Sequence, residues 1–194
     1  MTTRALAEFT AAIKPDALPV EVRRQAARLV LDALGCAMAA WTEDAEKSRI
    51  ARDIAALYPG APGAHVMGTK GAAVQPAFAA LANGILINAA DNDDTHKRAL
   101  LHVGSVMVPT ALALAEARGL SGRAMLAALV AGYEVAVRVG MAVMPTHYRF
   151  WHSTATNGTF GAAAGAAHAM GGCGWCAARA GSGGDASGGF EHLL

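Results

Sequence analysis

The stretch VEVRRQAARLVLDALGCAMAA, residues 20–40, decides the fold class of this chain. Val22, Ala26, Leu29, Val30, Ala33, Cys36 and Ala37 recur at three-and-four spacing, which gathers them on one face of an α-helix. Upstream, Pro15 and Pro19 punctuate a turn after a short first helix over Leu6–Ile13. Downstream, Glu43–Tyr58 reads as an amphipathic helix closed by Pro59-Gly60, Pro62–Gly68 as a loop with one short strand, and Ala73–Ala90 as helix again. Gly104–Arg118 is apolar and helical, with Pro109 expected in its first turn or at a kink. Gly119 is a stop signal, and Ser121 can cap a helix from Gly122 to about Met144. The small residues between Gly158 and Ala169 suit a central helix whose neighbours approach its backbone closely. Every long periodic segment has the helical period, so the expected class is all-α.

With 194 residues, 54% of them hydrophobic, the chain has the material for one domain or a large part of one. The net charge of +1 comes from scattered Lys and Arg with no basic block, so no nucleic-acid partner is expected. Glu8 interrupts the segment behind Arg4, which argues against a signal peptide and for a cytoplasmic location. Ala124–Met144 is the nearest thing to a membrane span, but Glu134 and Arg138 lie one turn apart within it. A buried or amphipathic helix is expected there, and no membrane partner. Cys36 sits in an apolar helical pattern as a small hydrophobe. Cys173-Gly174-Trp175-Cys176 has redox-pair spacing but no preceding strand and no second cysteine pair.

Against this aliphatic background, Asp91-Asn92-Asp93-Asp94-Thr95-His96 and His102-Val103-Gly104-Ser105 stand out. Burying several carboxylates without partners costs several kcal/mol each, so this run is solvated, paired or lining a polar cavity. Asp91, Asp93, Asp94, His96 and His102 offer oxygen and nitrogen ligands, yet their spacing matches no recognised metal motif, and no metal or cofactor is expected.

These two motifs are followed in order by ALAEARGLSG (113–122), Gly132-Tyr133-Glu134, His152-Ser153-Thr154 and Gly158-Thr159-Phe160-Gly161 with its alanines. The succession, from about Ala5 to Gly171, resembles the MmgE/PrpD family of 2-methylcitrate dehydratases, cis-aconitate decarboxylases and iminodisuccinate epimerases. The resemblance implies a helical domain of which residues 1–171 are the first part, truncated and without the family's α/β lid. Residues 172–194 are expected to be a divergent or frameshifted tail, because Ala186–Glu191 resembles the family again whereas Gly172–Asp185 does not.

The resemblance also places Asp91, Thr95, His102 and His152 in the active site and leaves His96, His147 and His168 outside it. It implies a metal-independent lyase acting on a small di- or tricarboxylate, with dehydration of a 2-methylcitrate-like substrate ahead of decarboxylation or epimerisation. A positioned imidazole moves a proton near neutral pH, typically worth ~10²–10⁴ in rate, and His102 takes that role. Thr95 and His152 are expected to bind carboxylates or the leaving hydroxyl, and Asp91 to orient an imidazole. Asp93 and Asp94 read as capping or solvating the loop. Val103 stands where the family commonly has proline, which implies a looser loop. The other reading is a non-catalytic helical fragment with little turnover of its own, its pocket half-built and open to water. An exposed apolar face makes a homodimer the expected assembly.

Overall fold

The computed structural model describes residues 3–71 and 73–172, and the Cys173–Cys176 pair and the tail lie outside the described residues. Among the described residues are seven α-helices: α1 Thr3–Ala12, α2 Val20–Glu43, α3 Ala45–Leu57, α4 Pro76–Ile87, α5 Gly104–Arg118, α6 Gly122–Val143 and α7 Ser153–Ala169. Extended structure is confined to β1 (Pro59–Ala64), which bridges to Val74, and a small antiparallel pair, β2 (Thr95–His96) with β3 (Leu101–His102). The all-α expectation holds.

Local chemistry explains the boundaries. Asp44 ends α2 and caps α3 by accepting from the Lys47 N–H at 2.9 Å. Pro76 occupies the first turn of α4, where its missing N–H is no loss, so that helix starts three residues later than its apolar pattern suggests. Gly119 closes α5 in the left-handed conformation at φ 61°, and the Ser121 hydroxyl accepts from the Ala124 N–H to open α6. Pro109 lies in the second turn of α5, later than expected, and cannot donate to the Ser105 carbonyl. α4 passes close to that carbonyl: a Cβ on Gly84 would stand 2.8 Å from it.

α6 is the axis of the molecule. Its Ala127–Val137 run is buried almost without a break, and α7 lies along it in the most extensive helix pairing of the fold. The approach is backbone to backbone, since a Cβ on Gly161 would come within 2.6 Å of the Gly132 carbonyl and one on Gly165 within 2.9 Å of the Ala128 carbonyl. Among the described residues α6 is also the one helix long and apolar enough to cross a membrane, yet 67% of that apolar window is buried inside the protein. Glu134 and Arg138 pair within the helix, Arg138 donating to the fully buried Glu134 at 3.0 Å while its guanidinium lies over the Phe9 ring.

Candidate active site

The polar run leaves the C-terminus of α4, turns back through β2 and β3, and enters the N-terminus of α5. The two-residue pairing sets Thr95 opposite His102, a contact that seven residues of sequence separation do not announce. Asp91 and Leu100 have positive φ, 56° and 50°. Aspartate tolerates that conformation; leucine does so only under strain, here imposed by the tight return of the hairpin. The Ser153 hydroxyl, at the start of α7, donates to the Leu100 carbonyl.

His102 is the convergence point. Its backbone N–H donates to Thr154 Oγ1 at 2.9 Å, tying the hairpin to α7. Around the ring, Nδ1 lies 3.2 Å from Thr95 Oγ1, 3.2 Å from the Asp93 carbonyl oxygen and 3.3 Å from Asp93 Oδ1. Nε2 lies 3.3 Å from Asp91 Oδ1. The imidazole is thus bracketed by two carboxylates of different character, since the Asp91 side chain is 83% exposed and that of Asp93 only 1%.

Asp93 and Asp94 therefore do not solvate the loop; both turn inward. Asn88, just past α4, donates to Asp93 Oδ1 at 2.9 Å. Asp94 accepts from the Gly104 N–H at 2.8 Å and from the Tyr133 hydroxyl of α6 at 3.1 Å. Burial lifts the Asp94 carboxyl from 3.8 to about 6, against the lowering effect of those two donors. Burial, reinforced by the Asp94 charge, pushes Tyr133 well above the ordinary phenol range, which keeps its hydroxyl a donor. This clamp requires glycine at 104, where a Cβ would collide with the Asp94 carboxylate. Where the resemblance implied a proline and a looser loop, Val103 is buried, has φ −75°, and leads into a clamped residue.

Of the residues expected in the site, Asp91, Thr95 and His102 come together. His152 lies just before α7, two residues before Thr154, on the wall of an open groove of about 860 Å³. That groove is lined by the polar Asn88, Ser105 and Thr154 and by the apolar Leu81, Ile85, Val106 and Pro109. The three histidines expected outside the site serve structure: His96 Nδ1 accepts from the Ala99 N–H, His147 pairs with Thr156, and His168 with the Ile13 carbonyl. Asn88, Tyr133 and Thr154 support the site without having been assigned to it, as do Asp93 and Asp94, which were read as loop carboxylates. For Tyr133 a signal existed, in the Gly-Tyr-Glu motif.

Of the five candidate metal ligands, Asp91, Asp93 and His102 bring ligand atoms within 4.8 Å of one another. Asp94 is engaged by Gly104 and Tyr133, and His96 by the Ala99 amide. The two carboxylates of the trio face different nitrogens of one ring, an arrangement that suits proton handling through an imidazole.

Comparison with known proteins matches residues 4–174 to the pattern described as the MmgE/PrpD N-terminal domain. The chain is 32% identical, over 87% of its length, to the cis-aconitate decarboxylase-like protein oryM of Aspergillus oryzae, of which it covers 36%. It is 28% identical, over 84% of its length, to the cis-aconitate decarboxylase of Aspergillus terreus, of which it covers 34%. The chain thus spans about a third of the length of these curated relatives.

Proposed function

Because the chain belongs to the MmgE/PrpD family, we propose that its α4–α5 loop forms part of the active site of a lyase acting on a small tricarboxylate of the cis-aconitate type. The observation that carries this reading is the bracketed His102 imidazole, buried on its Nδ1 side and open toward Asp91 on its Nε2 side. Decarboxylation breaks the bond to the departing carboxylate. The electron pair shifts through the adjacent double bond, a proton is added to carbon, and carbon dioxide leaves. His102 delivers that proton from Nε2, and Asp91 stabilises the imidazolium before delivery. His152, on the groove wall, takes one of the substrate's remaining carboxylates, while Thr95 holds the His102 ring. No step needs a metal.

Dehydration of a 2-methylcitrate-like substrate is the second reading, since the family that the Asp-x-Asp-Asp-Thr-His loop resembles includes 2-methylcitrate dehydratases. There the same imidazole would remove a proton beside a carboxylate as hydroxide leaves. Both reactions share His102, so one experiment tests the common premise. The ring signals of the histidines are followed by NMR while cis-aconitate, citrate or 2-methylcitrate is added, with and without EDTA. The His102 and His152 signals are expected to shift with cis-aconitate irrespective of EDTA, and those of His65 and His168 to stay still. Unmoved His102 and His152 rings, or equal shifts at all four, would sink the proposal. Any carbon dioxide released should disappear in His102→Ala.

A further inference from the structure

We propose that Asp93 is the positioning residue of this site: its buried carboxylate and its own carbonyl oxygen hold a proton on His102 Nδ1, leaving Nε2 as the nitrogen that exchanges protons. The inference deepens the proposed function and rests on it only for the identity of what the proton is exchanged with.

A backbone carbonyl oxygen can only accept, and that of Asp93 lies 3.2 Å from His102 Nδ1. Asp93 Oδ1, at 3.3 Å, is a second acceptor facing the same nitrogen. The Thr95 hydroxyl lies 3.4 Å from the Asp93 carbonyl, to which it can donate, and it turns its oxygen toward Nδ1 at 3.2 Å. Three oxygen atoms therefore converge on one ring nitrogen, and all three are satisfied together only when that nitrogen carries the hydrogen. A neutral imidazole has one N–H, so Nε2 is then left with its lone pair directed to the exposed side. When a second proton arrives it goes to Nε2, where Asp91 Oδ1 at 3.3 Å receives it.

The two carboxylates are not equivalent in this. Asp91 is screened by water and free to turn, whereas Asp93 is almost wholly out of water, where the same charge acts more strongly. Its rotamer is set by the Asn88 amide at Oδ1. Its other oxygen, Oδ2, is buried without a hydrogen-bond partner. A buried carboxylate so sparsely supplied with donors depends on the imidazole N–H for much of its compensation. The dependence runs both ways: the ring orders the carboxylate, and the carboxylate orders the ring.

Nitrogen-15 to ring-proton correlation on the neutral imidazole reads the tautomer directly, without any turnover. His102 in the wild-type chain is expected to show a proton-bearing Nδ1 and a bare Nε2. In Asp93→Ala the Nε2–H form should rise from undetectable to a substantial share, in Asp93→Asn to a smaller one because the amide keeps a neutral acceptor, and in Asp91→Asn not at all. A wild-type ring protonated on Nε2 overturns the inference without recourse to any variant, so a misfolded Asp93→Ala does not shelter it. So does a tautomer that Asp93→Ala leaves locked in a folded chain, or that Asp91→Asn releases. Where turnover of cis-aconitate is measurable, Asp93→Ala should lower kcat by roughly 10²-fold or more with KM little changed, as befits loss of a positioned proton transfer. A locked tautomer that Asp93→Ala releases supports the inference even if no tricarboxylate is turned over, an outcome that counts only against the proposed function.

Discussion

Asp94 is where burial and hydrogen bonding pull a carboxyl in opposite directions, and burial wins. In the fold it gives up its proton near pH 6, against an ordinary value of 3.8. Between those values the folded state holds more protons than the unfolded chain. This group's contribution to stability therefore falls as pH rises through the window and is regained on acidification, by an amount on the order of 2–3 kcal/mol. Asp94→Asn cannot titrate. Urea unfolding of both proteins at pH about 7 and about 5 should show the wild type gaining relative to Asp94→Asn at the lower pH. Parallel behaviour would mean that the carboxyl ionises at an ordinary pH. A second test at this scale concerns its donor. Tyr133→Phe leaves Asp94 Oδ2 without the hydroxyl and should lower stability by about 1–3 kcal/mol, the usual worth of a buried hydrogen bond to a charged group, with the Gly104 amide losing protection first.

Among the elements, the contact of α6 with α7 is the least tolerant of added volume. Gly161→Ala places a methyl against the Gly132 carbonyl and the Ala136 side chain, so the helices must part. Overpacking of this kind costs about 1–3 kcal/mol, readable as a lowered denaturation midpoint. A stability unchanged by Gly161→Ala would show that the helices do not meet as closely as this. The close pairing was legible in advance, because a run of glycine and alanine at helical spacing has little else to offer a neighbour. So were the caps at Ser121 and Gly119, and the three-and-four apolar spacing of α2. The inward turn of Asp93 and Asp94 was not. A cluster of aspartates reads as solvated until donors are in place around it, and those donors are Asn88, Gly104 and Tyr133, the last 39 residues away. Nor was the β2–β3 pair, whose two-residue strands are too short to display a period. His102 was recognised from its motif and Asp91 was expected to orient an imidazole, whereas the hold of Asp93 and Thr95 on Nδ1 emerged only from the fold.

At the level of the whole molecule, the segment joining α6 to α7 carries Tyr148, Phe150 and Trp151, the last two 76% and 63% exposed. Three large aromatic side chains left in water within four residues favour association. Sedimentation velocity over a range of concentrations should show reversible self-association that weakens in the Phe150→Ser/Trp151→Ser double variant. A single concentration-independent species would remove this patch as its driver.

The ends of two amide hydrogen bonds in the loop have a kinetic consequence. The N–H groups of His102 and Gly104 do not stop at carbonyls of a helix or a broad sheet; they stop at Thr154 Oγ1 and Asp94 Oδ1. Solvent deuterium can reach the first only when the start of α7 lifts from the hairpin, and the second only when the Asp94 clamp to α5 and α6 lets go. Each amide is thus a clock for one opening event. In hydrogen exchange followed residue by residue, Thr154→Val should speed the His102 clock and leave that of Gly104 running at its own rate, while Tyr133→Phe should do the reverse. Two clocks that always quicken together would mean that the loop has a single latch.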